Sequence, residues 1–171
     1  MEKDKASIND MYNDLLNLGR IFGVEEKANS LVSGYRLELS NETKTLKSEN
    51  PLRVFVYDSG EDAPFTAGLY AMPTALIEAA GGTNIMDDFK KSWGTVTWEE
   101  VIDRNPEVIV IVNYGNVTAE QKREFMMSNP AFADLDAVKN DRFVTLEYVE
   151  ATPGPRNINA VKTLLKAFWG S

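Results

Sequence analysis

The sequence predicts an α/β fold: a three-layer αβα arrangement around a mostly parallel sheet of four or five strands. Three observations carry this. Short apolar runs recur at residues 52–58 (LRVFVYD), 107–115 (EVIVIVNYG) and 142–148 (RFVTLEY). The middle run is continuous Val and Ile without polar alternation, the pattern of a strand buried on both faces of a parallel sheet. Helical patterns separate the runs, which implies right-handed crossovers with helices on both faces.

Taken in order, residues 7–23 (SINDMYNDLLNLGRIFG) read as a helix broken at Gly19 or Gly23. Residues 24–46 carry Val24, Ala28, Leu31, Tyr35, Leu39 and Leu46 at spacings of three, four and seven, one stripe of a single long helix. At about 1.5 Å per residue such a helix reaches roughly 35 Å, the width of a domain. It reads as a brace leading into the sheet at the first apolar run.

After that strand, residues 66–82 read as a helix closed by a glycine pair, with Pro73 required to sit near its start or at a kink. Residues 97–105 (TWEEVIDRN) form a short helix that stops before Pro106. Thr97 and Glu100 make a capping box at its start, and acid in a first turn suits the helix dipole. Glu99 is not needed for that box and points outward. Residues 118–129 and 129–140 supply helices after the second strand, and residues 157–170 close the fold.

Composition narrows the chemistry. The 171 residues are 43% hydrophobic and 26% charged, with a net charge of −8 and neither Cys nor His. Disulfides, thiol chemistry and catalysis through a histidine base are excluded. Zinc or copper would have only carboxylates to bind. The acidic balance argues against nucleic acid as a partner, because Lys and Arg supply most of that affinity. No stretch approaches the ~20 apolar residues of a membrane span, and the opening MEKDKASIND has no apolar signal-peptide core.

In open α/β sheets ligands bind beyond the carboxyl ends of the strands. Those ends are residues 57–68, 113–118 and 147–156, rich in rings, amides, acids and turn residues. Trp93, in the loop before the Thr97 cap, either plugs the domain edge or contacts a ligand. Trp98 reads as packing. Asp58, at the tip of the first strand, raises an alternative: a small doubly wound enzyme domain for phosphotransfer or hydrolysis, with Mg²⁺ held by oxygen. No phosphate-binding loop, nucleophile elbow or dinucleotide loop accompanies it.

Four segments, EAAGGTNIMDD (78–88), SWGTVTWEEVIDRNPEVIVIV (92–112), NPAFADLDAVKNDRFVTL (129–146) and TPGPRNINAVKTLLKAF (152–168), lie in one order and spacing. Together they resemble the carboxyl-terminal lobe of the substrate-binding proteins of bacterial ABC importers for iron-siderophores, haem and cobalamin. The likeness spans residues 19–168.

The resemblance implies two α/β lobes joined by a long helix, with a metal chelate clamped between them and delivered to a membrane permease, and no enzyme activity. It divides the chain into a remnant of the preceding lobe (1–23), the interlobe helix (24–47) and the carboxyl-terminal lobe (48–171), the amino-terminal lobe being absent. It implies an extracytoplasmic, periplasmic or lipid-anchored location, with the signal sequence outside this chain.

By resemblance, Glu99 meets an arginine of the permease and Trp93 faces the ligand. Phe65, Tyr114 and Tyr148 suit the same cleft, and Arg156 pairs with an anionic chelate or caps its local turn. No resident cofactor and no direct metal coordination by this chain are expected.

Overall fold

The computed structural model describes residues 5–44 and 50–170. Four strands form one parallel sheet in the order β3-β1-β5-β6: β1 Leu52–Tyr57, β3 Gly82–Asn84, β5 Val108–Asn113 and β6 Phe143–Glu147. The three apolar runs are thus neighbouring parallel strands. β3 extends the sheet beyond them. It begins directly after the helix-ending Gly81, whose φ of +83° suits glycine.

Strand parity divides the core into two layers. Val54, Val56, Val108, Val110, Val112 and Leu146 project to one face, against α1 (Ile8–Ile21), α2 (Glu25–Thr43), α3 (Met72–Ala79) and α8 (Asn157–Trp169). Phe55, Tyr57, Ile109 and Ile111 project to the other. There they meet α4 (Trp98–Arg104), α5 (Ala119–Ser128), a 3₁₀ turn at Pro130–Phe132 and α6 (Asp136–Lys139). Because successive strand residues point to opposite faces, the unbroken apolar run of β5 is what a sheet covered on both sides requires. This is the three-layer αβα fold.

Several expectations need correction. The helix anticipated over residues 66–82 starts only at Met72, with Pro73 in its first turn. Residues before it form β2, Phe65–Ala67, which pairs antiparallel with β4, Trp93–Thr95. Trp93 therefore lies on a strand rather than in a loop. The two-stranded ribbon is possible because Gly68 and Gly94 let Phe89 approach: a Cβ on Gly68 would stand 2.5 Å from the Phe89 carbonyl oxygen. Helix α1 is not broken at Gly19, which lies buried where α1 crosses Ala28 of α2. It ends at Ile21, and Gly23, just past the C-cap Phe22, turns the chain with a φ of +66°.

Helix α2 spans 19 residues, about 28 Å. Its buried stripe is Ala28, Val32 and Leu39, with Tyr35 partly covered; Val32 is 4% exposed and Leu31 43%. Leu46 lies outside the described residues. α2 packs along α1 and α8, and Lys162 of α8 pairs with its Glu38. Met11 and Tyr12 of α1 are buried in the same valine-side core.

Candidate ligand-binding cleft

The parallel strands end together on one edge, and the register there sets the first wall. Asn113 stands opposite Glu147. Its Nδ2 donates to both carboxylate oxygens of Glu147, at 3.0 and 3.2 Å. Each strand delivers a tyrosine one residue further on. Tyr114 and Tyr148 stack with centroids 5.0 Å apart and planes 28° apart, and both remain half exposed (54% and 50%).

The antiparallel ribbon builds the opposing wall. Phe65 pairs with Thr95 and Ala67 with Trp93, so Phe65 and Trp93 are diagonal neighbours. Their rings stack nearly parallel, 6.1 Å apart at 9°. A buried polar network ties this ribbon to the sheet: Thr66 Oγ1 donates to the Val56 carbonyl (2.6 Å), and Asn84 Nδ2 donates to the Ala67 carbonyl and to Thr74 Oγ1 (2.8 Å each). Every member of this buried network has a partner, so its hydrogen bonds offset the cost of desolvation while fixing the geometry.

Between the walls lies a cleft of about 260 Å³ lined by Asp58, Phe65, Trp93, Val112, Tyr114, Tyr148, Ala151 and Thr152. Four residues singled out from the sequence, Trp93, Phe65, Tyr114 and Tyr148, therefore come together around one cavity. The volume falls just below the ~300–1,000 Å³ of a complete small-molecule site. It suits one side of a larger enclosure.

Asp58 sits at the floor, only 7% exposed. Ser59 Oγ donates to its Oδ2 at 3.1 Å. Burial pushes the Asp58 carboxyl above the usual carboxylate range, opposed by that hydrogen bond and by the charge of Lys122. Lys122 is buried behind the floor, donating from Nζ to the carbonyls of Val112 (2.7 Å) and Tyr114 (3.4 Å). Burial pushes its ammonium down, and Asp58 opposes that shift.

Sequence reasoning missed Lys122. The signal was present: Ala119, Lys122 and Met126 occupy the buried face of α5 at spacings of three and four, an odd place for a lysine.

The end wall comes from the turn between α7 (Tyr148–Ala151) and α8. The buried Asn157 organises it. Its Nδ2 donates to the carbonyls of Glu150 (2.9 Å) and Thr152 (2.8 Å), and its Oδ1 accepts from Gly154 N–H (2.8 Å). Arg156 is exposed at the N-cap of α8 and is not among the cleft-lining residues.

On the neighbouring rim the capping box is formed as expected. Thr97 N–H donates to Glu100 Oε2 (3.0 Å), and Glu100 N–H donates to Thr97 Oγ1 (3.2 Å). Glu99 is exposed and takes no part in it. Trp98 is packing: it contacts Phe55, Tyr57, Phe125 and Phe132, and its Nε1 donates to the Glu61 carbonyl.

A strand-end cleft with aromatic walls on a three-layer αβα domain agrees with the family comparison. Residues 1–150 match the periplasmic binding protein family model. The chain belongs to that family.

A periplasmic binding protein from Veillonella parvula superposes with a TM-score of 0.90 and 35% identity, over 97% of this chain and 58% of that one. An uncharacterized ABC transporter substrate-binding lipoprotein, YvrC of Bacillus subtilis, is 24% identical over 97% of this chain and 52% of its own length. A vitamin B12-binding protein of Yersinia pestis is 26% identical over 63% of this chain and 38% of its own. The chain thus spans about half the length of the relatives it matches.

These relatives are named as binding proteins, one of them as an ABC transporter substrate-binding lipoprotein, and the enzyme reading centred on Asp58 finds no support among them. A phosphoacceptor site would also need further acids beside Asp58. Among the described residues no three acidic groups cluster closely enough to hold a metal ion. None of the described helices is long and apolar enough to cross a membrane.

Proposed function

We propose that this chain is the carboxyl-terminal lobe and interlobe helix of a solute-binding protein that clamps a bulky metal chelate and delivers it to an ABC permease. The observation that carries this is the pair of stacked ring couples, Phe65 with Trp93 and Tyr114 with Tyr148, facing one cleft at the strand ends. Flat rings of this kind supply apolar contact area for a large ligand at low entropic cost. An iron-siderophore is the first choice of cargo, with haem and cobalamin as the other large chelates the walls suit.

The division into a remnant of the preceding lobe (1–23), an interlobe helix (24–47) and a carboxyl-terminal lobe (48–171) belongs to this reading. Two observations support it. The chain covers 52% of the length of the Bacillus relative. Leu18, Phe22, Val24 and Leu31 also leave an exposed apolar groove between α1 and α2, where the remainder of a clamp would rest. Within the same reading the protein works outside the cytoplasm, periplasmic or held by a lipid anchor. Glu99, an exposed carboxylate in the first turn of α4 that the capping box does not use, docks to a basic residue of the permease.

The test is tryptophan fluorescence of the intact protein titrated with a ferric trihydroxamate, haem and cobalamin. Saturable quenching by one of them, lost in Trp93→Leu, is the expected result. No quenching and no calorimetric binding by any of the three would remove the proposal.

A further inference from the structure

The cleft contains one ionisable carboxylate and no basic side chain among its lining residues. Among the described residues the one side-chain hydrogen bond to the Asp58 carboxylate comes from Ser59, on Oδ2. Among the described residues no buried side-chain oxygen or nitrogen is left without a partner. No hydrogen bond among the described residues reaches Oδ1, so that oxygen is not fully sealed, and Asp58 is one of the residues that line the cleft. Arg156, expected to pair with an anionic chelate or to cap its turn, is not part of this lining.

Four rings around an open carboxylate suit one sign of charge. The face of an aromatic ring is electronegative and attracts a cation, and a carboxylate shielded from water accepts strongly from a charged donor. An anion placed there would meet Asp58 with no compensating cation at the surface. Lys122 does not supply one, because its ammonium is turned onto the carbonyls of Val112 and Tyr114 and lies outside the lining. Its charge acts from behind, favouring the ionised form of Asp58.

We infer that Asp58 is a specificity determinant of this cleft, accepting a hydrogen bond from a cationic donor on the bound ligand while the two stacked ring pairs enclose it. The ligand class is then a metal chelate with a protonated amine, and polyanionic chelates are rejected. This rests on the chelate-binding reading given above.

A matched pair of probes separates the two. The first is a ferric trihydroxamate carrying one pendant primary amine; the second is its N-acetylated twin, with the same chelate and no charge. A ferric tris-catecholate trianion is the third probe. Calorimetry and tryptophan quenching with the intact protein should show the amine form binding about tenfold or more tighter than the acetylated form, with the trianion weakest. In Asp58→Asn the ratio of amine to acetylated affinity should fall to about one. A thermal melt confirms that this variant is folded.

Equal affinity for the two twins in the wild type overturns the inference and leaves the chelate-binding reading standing. Discrimination that survives in Asp58→Asn removes Asp58 as the acceptor. Binding of none of the three probes, with the protein folded, overturns the inference; the chelate-binding reading falls with it only where haem and cobalamin also fail to bind.

Discussion

Asn113 and Glu147 face each other at the last register position of β5 and β6, and the amide of one donates to both oxygens of the other's carboxylate. This pair determines where the backbone leaves the sheet. The residues that follow, Tyr114 and Tyr148, consequently emerge side by side as one stacked wall. Asn113→Ala should reduce ligand affinity several-fold through misplaced rings, although it does not line the cleft. Tyr148→Ala should reduce it by tenfold or more. Calorimetry with the best-binding chelate checks the order of these effects.

Asp58 costs the empty protein stability. Its folded carboxyl titrates above the unfolded one, so the favourable protonated state is fully present below the ordinary value of 3.8 and is lost as pH rises through the folded value. Asp58→Asn should therefore raise Tm by about 2 °C at pH 7, with the gain vanishing near pH 3. Lys122→Met should push the Asp58 carboxyl further up, because the nearby positive charge is removed; ¹³C NMR titration of the carboxyl carbon reads this directly.

The end wall depends on Asn157. Replacing it with Ala removes three buried hydrogen bonds and strands two carbonyls and an N–H. The expected loss is roughly 2–4 kcal/mol in a urea melt. Asn157→Asp keeps the acceptor for Gly154 but cannot donate to either carbonyl, and should recover only part of it.

Gly68→Ala places a methyl group 2.5 and 2.6 Å from two backbone carbonyl oxygens, those of Phe89 and Lys91. Backbone cannot rotate aside as a side chain can. A destabilisation on the order of 2–3 kcal/mol is expected, together with displacement of the β2–β4 ribbon that carries Phe65 and Trp93. Fluorescence of Trp93 reports the displacement.

Thr97 and Glu99 should separate structure from docking. Thr97→Ala removes the N-cap of α4 and should cost about 1 kcal/mol. Glu99→Arg reverses a charge in the first turn of α4 and should cost no more than about 1 kcal/mol, leaving the protein folded. In cells it should abolish chelate uptake with Kd for the chelate within about twofold of wild type. Wild-type uptake by Glu99→Arg would remove the docking role.

Much of the molecule was legible in the chain because the signals were periodic. The Val and Ile of β5 announced a doubly covered strand, and TWEE announced the Thr97–Glu100 cap, since each depends only on neighbouring residues. The ribbon was not legible. Phe65–Ala67 and Trp93–Thr95 are three-residue strands with no alternation to detect, joined by pairing across nearly thirty residues. Their existence rests on Gly68 and Gly94 leaving room for Phe89, a tertiary contact. Leu31 and Val32 show the same limit: both fit an apolar stripe, and the packing of α2 onto the valine-side core buried Val32 and left Leu31 exposed.

By itself the chain determined its layers, its neighbouring parallel strands and the ring-bearing segments at their ends, because alternation and helical period are properties of local sequence. Tertiary structure decided which rings share a wall, that Asp58 rather than Arg156 borders the cavity, and that Lys122 is buried behind it. Those outcomes depend on register, close backbone approach and desolvation, which arise only when segments distant along the chain are packed together.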